Sequence, residues 1–150
     1  MPTVRDILAI KGTKVASIGP TETALEAAMR MNEDKIGSLV VLDEGALVGI
    51  ITERDLLRRI IAEHRDPEHT PVHDVMTTEL LCCRTYTTLD EARGVMKNRR
   101  IRHMPVVSEA GDLQGMISIG DLNAHQAHSQ EETIHLLHEY IYGGPVAVSS

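Results

Sequence analysis

The stretch Gly49-Ile50-Ile51-Thr52-Glu53-Arg54-Asp55 returns as Gly115-Met116-Ile117-Ser118-Ile119-Gly120-Asp121, and this return constrains the fold more than any other feature of the chain. Each copy is a glycine, two apolar residues, a hydroxyl residue, two variable residues and an aspartate, followed by Leu56 or Leu122. The pattern predicts an apolar strand running into a capped helix, with the Thr52 or Ser118 hydroxyl accepting from the first free amides and the aspartate answering it. Features upstream recur in step. Glu26 with Glu91, Met31 with Met96 and Ile36 with Ile101 keep an offset of 65, which one extra residue in the second copy raises to 66. A half of this size cannot easily bury both faces of a sheet, so two halves are predicted to pack about an approximate two-fold axis.

Within each half the periodicity gives strand, helix, strand, strand, helix, a mixed α/β (α+β) architecture. Val4 to Leu8 is a short amphipathic opening, and Val15 to Ile18 reads as a strand. Thr23-x-x-Glu26 caps a helix carrying Ala24, Ala27, Ala28 and Met31 on one face. Leu39 to Leu42 and Leu47 to Ile51 flank Asp43-Glu44-Gly45-Ala46 as a hairpin, and a second helix is predicted from Thr52 to about Glu63. The second half repeats the order: Val72 to Met76, a strand over Leu80 to Tyr86, a helix capped by Thr88 with Leu89, Ala92 and Met96 inward, and a hairpin of Met104 to Val107 with Leu113 to Ile117. The predicted division is a first repeat over 1–64, a linker over 65–71, a second repeat over 72–125, and a C-terminal helix and tail over 126–150.

Composition narrows the partners. A formal net charge of −7 opposes non-specific binding to nucleic acid or to an anionic membrane. Three tyrosines are the only aromatic residues, so base-stacking platforms are not available. Against this background Lys97, Arg99, Arg100, Arg102 and His103 form a local basic exception, of which Lys97 and Arg99 suit a helix C-terminus. Cys82 and Cys83 are adjacent, a spacing that is neither a metal nor a disulfide pattern, and they read as small apolar residues of a buried strand. No signal peptide or membrane span is visible, and a cytoplasmic setting is the expectation.

The repeated junction has chemistry of its own. A helix N-terminus favours phosphate, and an aspartate beside it can accept both hydroxyls of a ribose. The same Ser/Thr-x-x-Asp is also an ordinary capping box, a role that a duplication would copy as faithfully. With Val4-Arg5-Asp6-Ile7-Leu8, Val72-His73-Asp74-Val75-Met76-Thr77, Ile36-Gly37-Ser38-Leu39-Val40-Val41 and Ile101-Arg102-His103-Met104-Pro105-Val106-Val107 around the two junctions, the chain resembles a tandem cystathionine-β-synthase (CBS) domain pair. Such pairs are regulatory modules that bind adenine nucleosides and nucleotides, among them AMP, ADP, ATP, NAD(H) and S-adenosylmethionine, in two clefts between the repeats.

The resemblance implies a nucleotide-binding set. In one cleft Asp121 and Ser118 would hold ribose and phosphate, with Arg102 and His103 near the phosphate and backbone at Ile36, Gly37 and Ser38 reading the adenine. In the other, Asp55 and Thr52 would act with Thr77 and the backbone from Ile101 to His103. Met116, Ile50 and Lys11 complete the set, and the Asp121 cleft is expected to be the tighter for a phosphorylated ligand. It also implies a homodimer. With no effector domain visible, output is expected through an unidentified effector protein. The motif departs from a strict repeat where Val40 faces Pro105 and Pro20 faces Thr85, and Asn123-Ala124-His125 replaces a more usual aliphatic residue and lysine. The clefts need not be equivalent. No activated nucleophile, paired-carboxylate site or metal-bound water pattern is present, so no enzymatic role and no metal is assigned. His125, His128, His135 and His138 are spaced as a solvated helix face would space them. The alternative function is a protein-interaction module with vestigial clefts.

Overall fold

A computed structural model describes residues 1–129. The first repeat contains β1 (Ser17–Ile18), α2 (Ala24–Asp34) and the hairpin of β2 (Ser38–Asp43) and β3 (Ala46–Thr52), preceded by α1 (Val4–Lys11). The three strands form one sheet, β1 parallel and β3 antiparallel to β2. The hairpin turns at Glu44 and Gly45, both at positive φ (51° and 85°), which the right-handed twist of a two-residue turn requires. Thr23 accepts from the Glu26 amide and starts α2, whose Ala24, Ala27 and Met31 are buried. The predicted helix after Thr52 is a single turn, α3 (Glu53–Leu56), continued by a π-helical segment over Leu57–Ile61. In the linker, Asp66 caps a short 3-10 turn at Pro67–His69.

The second repeat comprises α5 (Leu89–Arg99), β4 (His103–Val107), β5 (Leu113–Ser118) and α6 (Ile119–Ser129), led by α4 (Val72–Val75). Its first strand is a correction to the sequence reading. Over Leu80–Tyr86 only Cys83 pairs, in a parallel bridge to Val106. The cause is Pro105. In the first repeat the Val40 amide donates to Ala16 O at 3.1 Å; at the matching position proline has no N–H, so the ladder cannot extend past Cys83. Cys82 is consequently exposed rather than buried, whereas burial pushes the Cys83 thiol up to about 12 and keeps it protonated.

The cores exchange their lead-in helices. Val4, Ile7 and Leu8 of α1 are buried with Leu89, Met96, Met104, Ile117 and Leu122 of the second repeat, while Val72 and Val75 of α4 join Ile18, Met31, Leu39 and Ile51 of the first. Backbone bonds fix the exchange: the amides of Val4 and Arg5 donate to Thr87 O and Thr85 O, and those of Val72 and His73 to Glu22 O and Pro20 O. Between the sheets a third cluster of Val40, Ile50 and Met116, with Leu80 and Leu113 against it, closes the interface. Strand alternation makes this possible, since Leu39 and Val41 face the helices while Val40 faces the other sheet. The predicted C-terminal helix and tail lie outside the described residues from 130 on, His135 and His138 among them, as does the side chain of His128.

Candidate functional site

Asp55 is buried at the end of β3, and its carboxylate joins three elements. Oδ2 accepts from the Thr52 amide at 2.9 Å and the Thr52 hydroxyl at 3.2 Å, Oδ1 accepts from Thr77 Oγ1 at 3.0 Å, and Arg59 Nε lies 3.9 Å from Oδ1. Arg59 Nη1 also donates to the Val75 and Met76 carbonyls at the end of α4. Thr77 is held in place because its amide and carbonyl bridge to Ile50. The capping box read from the sequence is therefore real, and it does more than cap: it ties β3 to the lead-in segment of the other repeat.

Beside this carboxylate lies a cavity of about 220 Å³ lined by both repeats, from Ile50 and Thr52 on one side to Ile101 and Pro105 on the other. Five arginines line it, Arg54, Arg58, Arg59, Arg100 and Arg102, against three acidic residues, Glu53, Asp55 and Glu79. In a chain of net charge −7 this is a concentrated positive field, suited to an anion. Of these, Arg54, Arg58, Arg100 and Arg102 make no side-chain hydrogen bond or ion pair among the described residues. Arg100 ends α5 in the left-handed conformation (φ 55°) and, with Ile101, Arg102 and His103, turns along the cavity wall.

The Asp121 junction has the same local cap and a different neighbour. The Ser118 amide donates to Asp121 Oδ2 at 2.9 Å, and Ser118 Oγ accepts from the Asp121 amide at 3.1 Å. Where Thr77 stands at the first junction, the Lys11 ammonium stands here, 2.6 Å from Asp121 Oδ2 and 2.8 Å from the Met116 carbonyl.

A CBS-domain model matches residues 4–62 and again 72–128, and the two matches take in both junctions and both lead-in helices. The chain belongs to the CBS-domain family. It is 37% identical over 151 residues to the mitochondrial CBS domain-containing protein CBSX3 of Arabidopsis thaliana, covering 95% of this chain and 73% of that one. A solved structure described as a putative signal-transduction protein with CBS domains, from Burkholderia ambifaria, superposes with a TM-score of 0.82 at 33% identity, covering 85% of this chain and 96% of that one. The CBS domain pair of MJ0100, solved with 5′-methylthioadenosine and S-adenosyl-L-methionine, shares the fold at a TM-score of 0.74 and 24% identity, covering 86% and 98%.

Within this CBS pair the predicted residues divide between the two sides. Ile50, Thr52, Asp55, Thr77, Ile101, Arg102 and His103 line the Asp55 cavity together. Arg102, assigned from sequence to the Asp121 cleft, is thus on the Asp55 side. His103 lies within electrostatic reach of both: burial first of all holds its pKa below the usual imidazole range, while Glu53 and Asp121 oppose the shift and Arg102 and Lys11 add to it. Ile36 and Gly37 border a separate open groove with Glu53 and Leu56. The Gly37 and Arg102 carbonyls accept from the first helical amides, Glu53 N at 3.0 Å and Ile119 N at 2.9 Å, and Ser38 pairs with Thr52. Met116, Ser118, Asp121 and Lys11 gather at the second junction. The sequence reading placed none of Arg54, Arg58, Arg59 and Arg100, all of which line the Asp55 cavity, in its nucleotide-binding set. The signal was there, since Arg54 stands inside the motif and Arg58 four residues further on, an i, i+4 spacing that shares a helix face.

Proposed function

We propose that this CBS pair is a non-catalytic regulatory module whose Asp55 cavity binds an adenosine compound carrying phosphate, such as AMP, ATP or NAD(H). The observation that carries the reading is the pairing of a buried carboxylate, able to accept ribose hydroxyls, with four arginines on the same cavity whose side chains bond to no other described residue. Each guanidinium can meet phosphate with charge-assisted, bidentate hydrogen bonds. That MJ0100 was solved with two adenosine compounds supports the fold as a host for such ligands. Thermal-shift titration with adenosine, AMP, ATP, NAD, NADH and S-adenosylmethionine tests the reading: a ligand at about a hundred times its dissociation constant adds about 2.7 kcal/mol. If none of the six shifts the transition, the clefts are vestigial and the protein is an interaction module.

Arg102 separates phosphate from nucleoside recognition. Arg102→Ala is expected to weaken AMP about tenfold while leaving adenosine nearly unchanged, because only AMP loses a charge-assisted contact. Isothermal titration with both ligands checks this. Equal losses would return Arg102 to the solvated surface.

The reading includes a homodimer acting on an unidentified effector protein in the cytoplasm. Its support is the exposure of Met29 on α2, Leu57 and Ile61 after α3, and Val95 on α5, apolar side chains that a second copy would cover in a closed two-fold contact. Sedimentation at micromolar concentration is expected to show a dimer; a monomer alone would exclude this part. No helix among the described residues is long and apolar enough to cross a membrane.

A further inference from the structure

The two junctions differ in the group that bridges carbonyl and carboxylate. At the first, Thr77 meets the Ile50 carbonyl with its amide at 2.8 Å and Asp55 Oδ1 with its hydroxyl at 3.0 Å. At the second, the single Lys11 Nζ donates to both the equivalent Met116 carbonyl, at 2.8 Å, and the Asp121 carboxylate, at 2.6 Å. Asp55 meets neutral donors at hydrogen-bond distance and the Arg59 guanidinium only at 3.9 Å, whereas the Lys11 ammonium sits directly on Asp121 at 2.6 Å. Lys11 is the last residue of α1, whose Val4, Ile7 and Leu8 are buried in the second core, so the amine is delivered from a fixed platform. Gly12, at φ 93°, turns the chain away directly after it.

We infer that Lys11 is an internal occupant of the Asp121 junction: its ammonium takes the position at the carboxylate that a ribose diol would need, so this side of the pair discriminates against adenosine compounds and the two sides bind them unequally. The inference rests on the proposed ligand class. It reverses the sign of the role the resemblance gives Lys11, from a contact that helps a ligand to one that must be displaced. Both partners are partly exposed (34% and 24%), so the barrier is modest and sensitive to salt.

Adenosine, which has no phosphate to recruit the displaced amine, is the probe. Backbone amide resonances of Ser118 and Thr77 in the full chain report the Met116 side and the Ile50 side separately during an adenosine titration. Lys11→Met, which keeps the apolar stem and removes the charge, is expected to tighten binding at the Met116 side about three- to tenfold, and Lys11→Gln should act in the same direction. Lys11→Arg should preserve the wild-type weakness. Adding Asp121→Asn to Lys11→Met should cancel the gain, which assigns it to the carboxylate. Raising salt should improve wild-type binding at this side and leave Lys11→Met unaffected. Unchanged or weaker adenosine binding in Lys11→Met, with binding at the Ile50 side intact, overturns the inference alone. Absence of any adenosine effect on either amide in every variant overturns the ligand class and the inference together.

Discussion

Asp55→Ala is expected to lower the unfolding free energy by about 2–4 kcal/mol, the sum of a lost cap and of hydroxyl and amide donors left without a partner inside the protein. Thr52 loses the acceptor for its amide and hydroxyl, Thr77 Oγ1 loses its only carboxylate, and Arg59 loses the charge that draws it over the end of α4. The same variant should also lose most of the stabilisation by a phosphorylated adenosine ligand, since the carboxylate proposed to accept the ribose is gone. Asp121→Ala, although the motif around it is the same, should cost only about 0.5–2 kcal/mol, because its cap is local and its ion pair with Lys11 is partly solvated. Urea denaturation of both variants, with and without AMP, checks the pair. Equal costs for the two aspartates would mean that the cross-repeat bonds of Asp55 add nothing to its capping role. An undiminished AMP shift in Asp55→Ala would remove that residue from the ligand site.

Gly49→Ala is expected to destabilise by about 1–3 kcal/mol through overpacking. A Cβ at this position would stand 2.6 Å from Met76 Sδ and 3.0 Å from the Thr77 carbonyl, both on the segment leaving α4. The carbonyl cannot step aside without disturbing the Ile50–Thr77 bridge and, through Thr77 Oγ1, the Asp55 carboxylate. The matching change Gly115→Ala would place its Cβ 2.8 Å from Leu8 Cδ2, the end of a side chain that can rotate. Its cost should therefore be smaller, about 1 kcal/mol or less. Thermal melts of the two variants decide, and a larger loss at Gly115 would contradict the account. The comparison gives the glycine of the repeated motif its purpose: it is the floor on which the lead-in segment of the other repeat sits.

Much of this protein could be read from residue order. Duplication, the hairpins, the caps at Thr23, Thr52, Thr88 and Ser118, and the buried faces of α2 and α5 all follow from interactions within a few residues or from a period of two or 3.6, which a linear pattern records directly. The local caps of Asp55 and Asp121 belong to this class. What surrounds those caps does not. That α1 packs in the second core and α4 in the first depends on two lead-in helices of similar pattern choosing between two similar cores, and the backbone bonds from Val4 and Arg5 to residues 87 and 85 decide it. The loss of the second repeat's first strand arises because Pro105 meets a partner more than twenty residues away. Lys11 meets Asp121 across most of the chain, and Arg102 reaches the Asp55 cavity because the sheets face one another. Sequence determines which groups exist and the shape of each turn and helix; only the packing of one repeat on the other sets which carboxylate is buried with hydroxyls and which is paired with an ammonium, since that depends on distances between residues that the order of the chain does not contain.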